Sequence, residues 1–152
     1  MIRSKISKKE AEKNPDLLWN GFIDVVSLSE YKDLMEAQRK AHLAFWYDHE
    51  IQNGGHYQFF ENRGLKQAEK TLIVLEEIGF TEQSKILKKA IAVYKKTNPN
   101  EDKVETVEEF IEEALEGVFD EIDSEYYACD PDMNELLEEY LKEHVYEFIE
   151  FI

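Results

Sequence analysis

Cysteine is almost missing from this sequence. The 152-residue chain carries only Cys129, which excludes an internal disulfide and a cysteine-built zinc site and suits a reducing, cytoplasmic compartment. Proline (3) and glycine (6) are sparse, which argues for long helices and against a turn-rich sheet protein. No apolar run approaches the roughly 20 residues that cross a bilayer, so no membrane partner is expected. The opening MIRSKISKKEAEKN is basic, but no apolar stretch follows it, so it does not read as a signal peptide. Positive charge is short as well: 18 Lys and Arg stand against 34 Asp and Glu, a formal net charge of −16. An acidic surface repels phosphates, so direct binding of nucleic acid is not expected.

Core-forming material is plentiful. Hydrophobic residues make up 43% of the chain, with 9 Phe, 8 Tyr and 2 Trp, which excludes global disorder. A chain of this length buries roughly 68–70% of its unfolded surface without help from metals or disulfides. The expected fold is all-α, a single compact domain of about six to seven helices. Residues 1–14 read as a basic N-terminal arm or short helix, and 15–152 as the domain.

The charge is unevenly placed. Residues 1–100 hold 16 Lys or Arg and 14 Asp or Glu, a balance of +2, while residues 101–152 hold 2 and 20, a balance of −18. Acidic blocks are often disordered tails. Here the acids alternate with apolar residues at helical spacing. Val107, Phe110, Ile111, Ala114, Leu115, Val118, Phe119 and Ile122 recur every three or four residues, tracing one stripe of a helix. Thr106 and Glu109 form a capping-box pattern at its start. The opposite face carries Glu108, Glu109, Glu112, Glu113, Glu116, Asp120, Glu121 and Asp123. A last helix repeats the design, with Leu136, Leu137, Tyr140, Leu141, Val145, Phe148, Ile149 and Ile152 inward and Glu135, Glu138, Glu139, Glu143, Glu147 and Glu150 outward.

Upstream, Asn14-Pro15 opens a helix carrying Leu17, Leu18, Phe22, Ile23 and Val26, with Asn14 as its cap. A long helix is expected over roughly 30–51, stopped by Asn53-Gly54-Gly55. A short aromatic helix, His56 to Glu61, follows and breaks at Gly64. Two more helices come next, Leu65 to Ile78 with Gly79 as C-cap, then one from Thr81 with Ile86, Leu87, Ala90, Ile91 and Tyr94 inward. Thr97-Asn98-Pro99-Asn100 reads as a turn inside the domain, and no strand signal stands out.

Gln58 and Asn62 are four residues apart and share a helix face. With Asn53 they are expected to form a buried polar cluster tying the Gly54-Gly55 turn to neighbouring helices. A small ligand pocket is the alternative there. No metal is expected. His42 and His49 lie about 10.5 Å apart along a helix, too far for one ion. His49, Glu50 and His56 converge only if the Gly-Gly turn folds back, so the histidines read as surface or boundary residues. His144 reads as a packing residue, and Asp130-Pro131-Asp132 as a turn opening the last helix. Acidic neighbours disfavour a Cys129 thiolate. No nucleophile elbow or phosphate-cradling loop is present, so neither catalytic residues nor a cofactor are expected.

The run Glu50-Ile51-Gln52-Asn53-Gly54-Gly55-His56-Tyr57-Gln58-Phe59-Phe60-Glu61-Asn62 resembles the Asn-Gly-Gly, aromatic, Gln, aromatic, Asn signature of the bacterial DNA-mimic protein (DMP) family. The following order also resembles it: a helix ending at Ile78-Gly79, a helix with Ala90, then Asp120 to Tyr127 and a terminal helix around Tyr140. The similarity covers roughly residues 42–150. His56 stands where that signature more usually has Phe. The resemblance implies a helical, acidic protein, possible as a homodimer, that binds a DNA-binding protein in place of DNA.

Three functions follow as expectations. The first is an acidic protein-binding module that mimics DNA and sequesters a basic nucleic-acid-binding protein such as a transcription factor, through the two rows Glu108 to Asp123 and Glu135, Glu138, Glu139 and Glu143. The second is an immunity or antitoxin protein that neutralises a basic toxin by the same physics. The third is an enzyme with a site near Asn53, Gln58 and Asn62. Against all three stands a helical domain whose charge serves only solubility.

Overall fold

The structure is a computed structural model and describes residues 1–97 and 117–152. The fold is all-α, with one short pair of parallel strands. The chain sorts into two compact units, one built from residues 1–46 and 133–152 and the other from 47–132.

In the first unit, β1 (Ser4–Ile6) pairs in parallel with β2 (Ile149–Phe151), Ser4 opposite Ile149 and Ile6 opposite Phe151. Between β1 and α2 lies α1 (Lys8–Lys13), capped by the Ser7 hydroxyl. Helix α2 (Asp16–Leu28) starts where expected, with the Asn14 side chain accepting from the Asp16 N–H at 3.2 Å. α2 lies directly on the strand pair. A methyl group added at Gly21 would sit 2.8 Å from Ile6 Cδ1 and 2.9 Å from Ile149 Cδ1. Phe22, fully buried, meets Phe148 edge-on at 4.7 Å.

Within residues 1–14 lie β1 and the short helix α1. Two expectations change in this unit. The long helix does not begin at residue 30. A 3₁₀ turn, Tyr31–Asp33, comes first, and α3 begins at Glu36. Gln38 sets that start, its Oε1 accepting from the Met35 N–H at 2.9 Å, the reaching-back half of a capping box. Gln38 Nε2 then donates to the carbonyls of Ile2 and Glu147, at 2.6 and 2.7 Å. The terminal helix is not continuous either. α6 (Met133–Glu143) gives way at His144 to the short α7 (Val145–Phe148) and then β2. Ile152 is consequently exposed rather than packed. The sequence pattern hid the strands because each is three residues long and its partner lies at the far end of the chain. His144 does pack, its ring centroid 4.3 Å from that of Tyr140.

The second unit takes its core from the rest of α3, from α4 (Thr81–Thr97) and from a helical stretch at 117–127, here α5. α3 is recorded from Glu36 to Glu77, but Gly54, Gly55 and Gly64 have non-helical backbone angles, so it breaks where the glycines were expected to break it. It ends in a Schellman motif: the Phe80 N–H donates to the Leu75 carbonyl at 2.9 Å and the Gly79 N–H to Glu76 at 3.3 Å. Ile86, Leu87, Ala90 and Ile91 of α4 are buried as expected. Phe60 stacks on Tyr94 at 4.4 Å and on Phe119 at 5.5 Å.

Candidate functional site

The Gly54-Gly55 break shapes the second unit. Gln58 and Asn62 lie 8 and 12 residues after Glu50, yet both reach it. Along a straight helix 12 residues span about 18 Å, so the chain doubles back at the glycines. Glu50 Oε2 accepts from Gln58 Nε2 at 3.1 Å and from Asn62 Nδ2 at 2.7 Å, and Arg63 Nη2 lies 3.4 Å from Oε1. Glu50 is only 5% exposed, so this carboxylate is affordable inside because it meets two amides and a guanidinium. Two members of the expected polar cluster, Gln58 and Asn62, thus meet at Glu50, but Gln58 is half-buried and Asn62 exposed, and Asn53 is exposed as well; of the set only Glu50 is buried. Glu50, not Asn53, holds the cluster.

A second set meets at His56. Its ring is fully buried, not at the surface as the sequence suggested. The Asp123 Oδ1 atom accepts from the His56 backbone N–H at 2.9 Å and lies 2.7 Å from Nδ1. A carboxylate accepts, so Nδ1 carries the proton, and Nε2 is hydrogen-bonded to the Tyr47 hydroxyl, 2.7 Å away. Burial first, then the charges of Cys129, Asp123 and Asp48, hold the Tyr47 hydroxyl well above its ordinary range, which keeps it a donor. The result is a hydrogen-bonded relay, Tyr47 to His56 to Asp123. Rings of Tyr47, Phe119 and Tyr126 surround the imidazole at 5.6 to 6.1 Å.

Gly55 makes the approach of Asp123 possible. Its φ of 75° and ψ of −173° belong to a region that only glycine adopts readily. A methyl group there would fall on the Asp123 carboxylate. The last helical turn of α5 adds two further bonds: Tyr126 Oη donates to Asp48 Oδ1 and Tyr127 Oη to the Ile51 carbonyl, both at 2.7 Å. Burial raises the Asp48 carboxyl, and the Tyr126 and Gln52 hydrogen bonds pull it partly back. The Cys129 thiol is also raised, by burial and then by Glu82 and Glu125, so the thiolate is disfavoured.

The acidic positions divide three ways. Glu108, Glu109, Glu112, Glu113 and Glu116 lie outside the described residues. Asp120 and Glu121 on α5, and Glu135, Glu138, Glu139 and Glu143 on α6, are exposed. α6 meanwhile buries Met133, Leu137, Tyr140 and Leu141, so its carboxylates are held on an ordered outer face. Lys142 reaches one of them, Glu139, at 3.0 Å. Asp123 must be corrected. Its side chain is 18% exposed and turned to His56, so its charge is used inside the unit rather than presented to a partner. Its spacing carried the signal: Asp123 stands four residues after Phe119 and three before Tyr126, on the inner stripe. Tyr47 and Glu50 were not singled out as site residues, because each looks ordinary until the turn brings Asn62 or His56 alongside.

Among the described residues no group of three or more His, Cys, Asp or Glu side chains is arranged to hold a metal ion, and no helix is long and apolar enough to cross a membrane. The Glu50 cluster, the relay and the whole of α6 fall within one stretch, residues 32–144, that matches the model of the DMP19-like protein family. The chain belongs to the DMP19-like protein family. That family is named for a DNA-mimic protein and is not a known enzyme family. No match was found among curated proteins or among solved structures. Within the DMP19-like chain, then, the Asn-Gly-Gly turn serves the interior: it brings Glu50, Gln58 and Asn62 together and admits Asp123 to His56.

Proposed function

We propose that this chain is an acidic protein-binding module that mimics DNA and sequesters a basic nucleic-acid-binding protein such as a transcription factor. Membership of the DMP19-like family supports the class of activity. The observation that carries the reading to particular residues is the outer face of α6. Glu135, Glu138, Glu139 and Glu143 are all exposed there. The first and last are eight helical rises apart, about 12 Å, or about one carboxylate per 4 Å. One DNA strand presents a phosphate every ~3.4 Å. The spacing therefore suits a groove lined with Arg and Lys, and the overall charge of −16 steers such a partner in. Asp120 and Glu121 supply further exposed charge on α5, and Glu108, Glu109, Glu112, Glu113 and Glu116 belong to the same reading by sequence. The reading includes a cytoplasmic location and a homodimer, which sedimentation checks.

Charge reversal tests it. The wild type, an E135K/E138K/E143K variant and an E109K/E112K/E116K variant are used to capture partners from native lysate, with elution in a salt gradient. A basic nucleic-acid-binding protein should elute from the wild type as salt screens the contact, and both variants should lose it while keeping their helical circular dichroism. Capture that is unchanged in both variants, or a retained partner that is not basic, refutes the reading.

A further inference from the structure

We propose that His56 is a positioning residue: its relay with Asp123 and Tyr47 is the latch that fixes the rotational phase of α5, and so holds Asp120 and Glu121 outward. This rests on reading those two carboxylates as partner-facing.

The apolar pattern of α5 does not settle the phase alone. Phe119, Ile122 and Tyr126 point inward, but Val118 and Tyr127 beside them are left exposed, at 39% and 52%. The helix therefore carries an apolar sector wider than the part it buries, and burial is non-directional. A modest rotation would exchange Val118 for part of the buried set. Hydrogen bonds discriminate where burial does not, because they demand an atom at a defined distance and angle. Tyr126 and Tyr127 pin the last turn, through Asp48 and the Ile51 carbonyl. Lys89 meets Glu125 at 3.1 Å, but at the surface, where such pairs contribute little. Among the described contacts of α5 with the rest of its unit, the Asp123 pair is the first directional one along the helix, and it reaches a fully buried partner. Upstream of it the described contacts are ring contacts of Phe119, with His56 and Phe60. The two tyrosines hold the phase at the last turn, and the Asp123 pair holds it one turn upstream. Asp120 and Glu121 sit directly upstream of the latch and inherit their orientation from it.

The experiment is amide hydrogen exchange, resolved by residue, on the full chain without any partner, so a failed latch and a failed mimic are separable. In His56→Phe the ring volume stays and both ring hydrogen bonds go. Exchange of amides 119–123 should rise at least tenfold, while amides 126–129 and those of Ile86 to Ile91 stay within about threefold of wild type. Asp123→Ala removes the latch from the other side and should give the same local pattern, which keeps the test alive should His56→Phe fail to fold. Asp123→Asn keeps an acceptor oxygen for both His56 N–H groups and should rescue protection to within about threefold of wild type. Unchanged exchange at 119–123 in the first two variants overturns the proposal. So does an equal rise across the whole unit, which would make His56 an ordinary core residue, and so does an Asp123→Asn variant as loose as Asp123→Ala.

Discussion

Replacing Gly55 by alanine separates backbone strain from a specific contact. Gly55 has a φ of 75° and ψ of −173°, and a side chain forced to stay there costs about 1–3 kcal/mol. A second term follows from its neighbour. The new methyl would fall on the Asp123 carboxylate, which cannot yield without losing the two hydrogen bonds it accepts from His56 at 2.7 and 2.9 Å. Orphaning a buried donor beside a displaced carboxylate adds roughly 1.5–3 kcal/mol. The expected total for Gly55→Ala is about 2.5–6 kcal/mol. Gly64 is the internal control. Its angles are similar, φ 82° and ψ 167°, but nothing lies within 4 Å of an added methyl, so Gly64→Ala should cost only the ~1–3 kcal/mol of the backbone. Both tryptophans, Trp19 and Trp46, belong to the other unit, so tryptophan fluorescence is the wrong probe. Tyr31, Tyr140 and Tyr146 lie there too, so urea unfolding followed by the amide signals of α4 reads the right unit. The two variants should differ by about 1.5–3 kcal/mol, and adding Asp123→Ala to Gly55→Ala should recover part of the loss. Equal costs for the two glycines would refute the claim that Gly55 exists to admit Asp123.

Three further outcomes are expected. Glu50→Leu removes the acceptor shared by Gln58, Asn62 and Arg63; because Asn62 is exposed and Arg63 is 28% exposed, both can rehydrate, and the loss should fall at or below the low end of that for broken buried pairs, about 2–3 kcal/mol by urea unfolding. Asp48→Asn keeps an acceptor for Tyr126 and should stabilise the protein at neutral pH. Burial raises the Asp48 carboxyl in the folded state above its ordinary 3.8, so the folded form binds the proton more readily and stability falls as pH climbs through the raised value. The variant's advantage should therefore shrink as pH drops through that value and vanish below about 3.8, as read from melting curves across pH. Gly21→Ala drives a methyl against Ile6 and Ile149 and should cost about 1–3 kcal/mol of overpacking, with amide exchange of Ile6 and Phe151 accelerating first.

The helical class was legible because local periodicity reports it. The stripe Ile86, Leu87, Ala90, Ile91 predicted the buried face of α4, and the glycines at 55, 64 and 79 marked breaks where φ is positive. The DNA-mimic resemblance rested on the same turn and is matched by the family assignment over residues 32–144. The strand pair was invisible for the opposite reason: Ser4–Ile6 has no local signature, and its partner is some 145 residues away.

What the sequence alone determined is where charge and apolar surface alternate, and hence that Glu135, Glu138, Glu139 and Glu143 stand on the outer face of a helix. What only the tertiary structure decided is which acids turn inward. Glu50 and Asp123 carry the same charge as their exposed neighbours; the spacing of Asp123 from Phe119 and Tyr126 places it on the inner stripe of α5, but nothing local marks Glu50, and the donors that meet either carboxylate lie elsewhere in the sequence. They are internal because the chain doubles back at Gly54 and Gly55 and sets amide, imidazole and guanidinium donors against them. A carboxylate leaves water only where such donors meet it, and that meeting is a property of the fold.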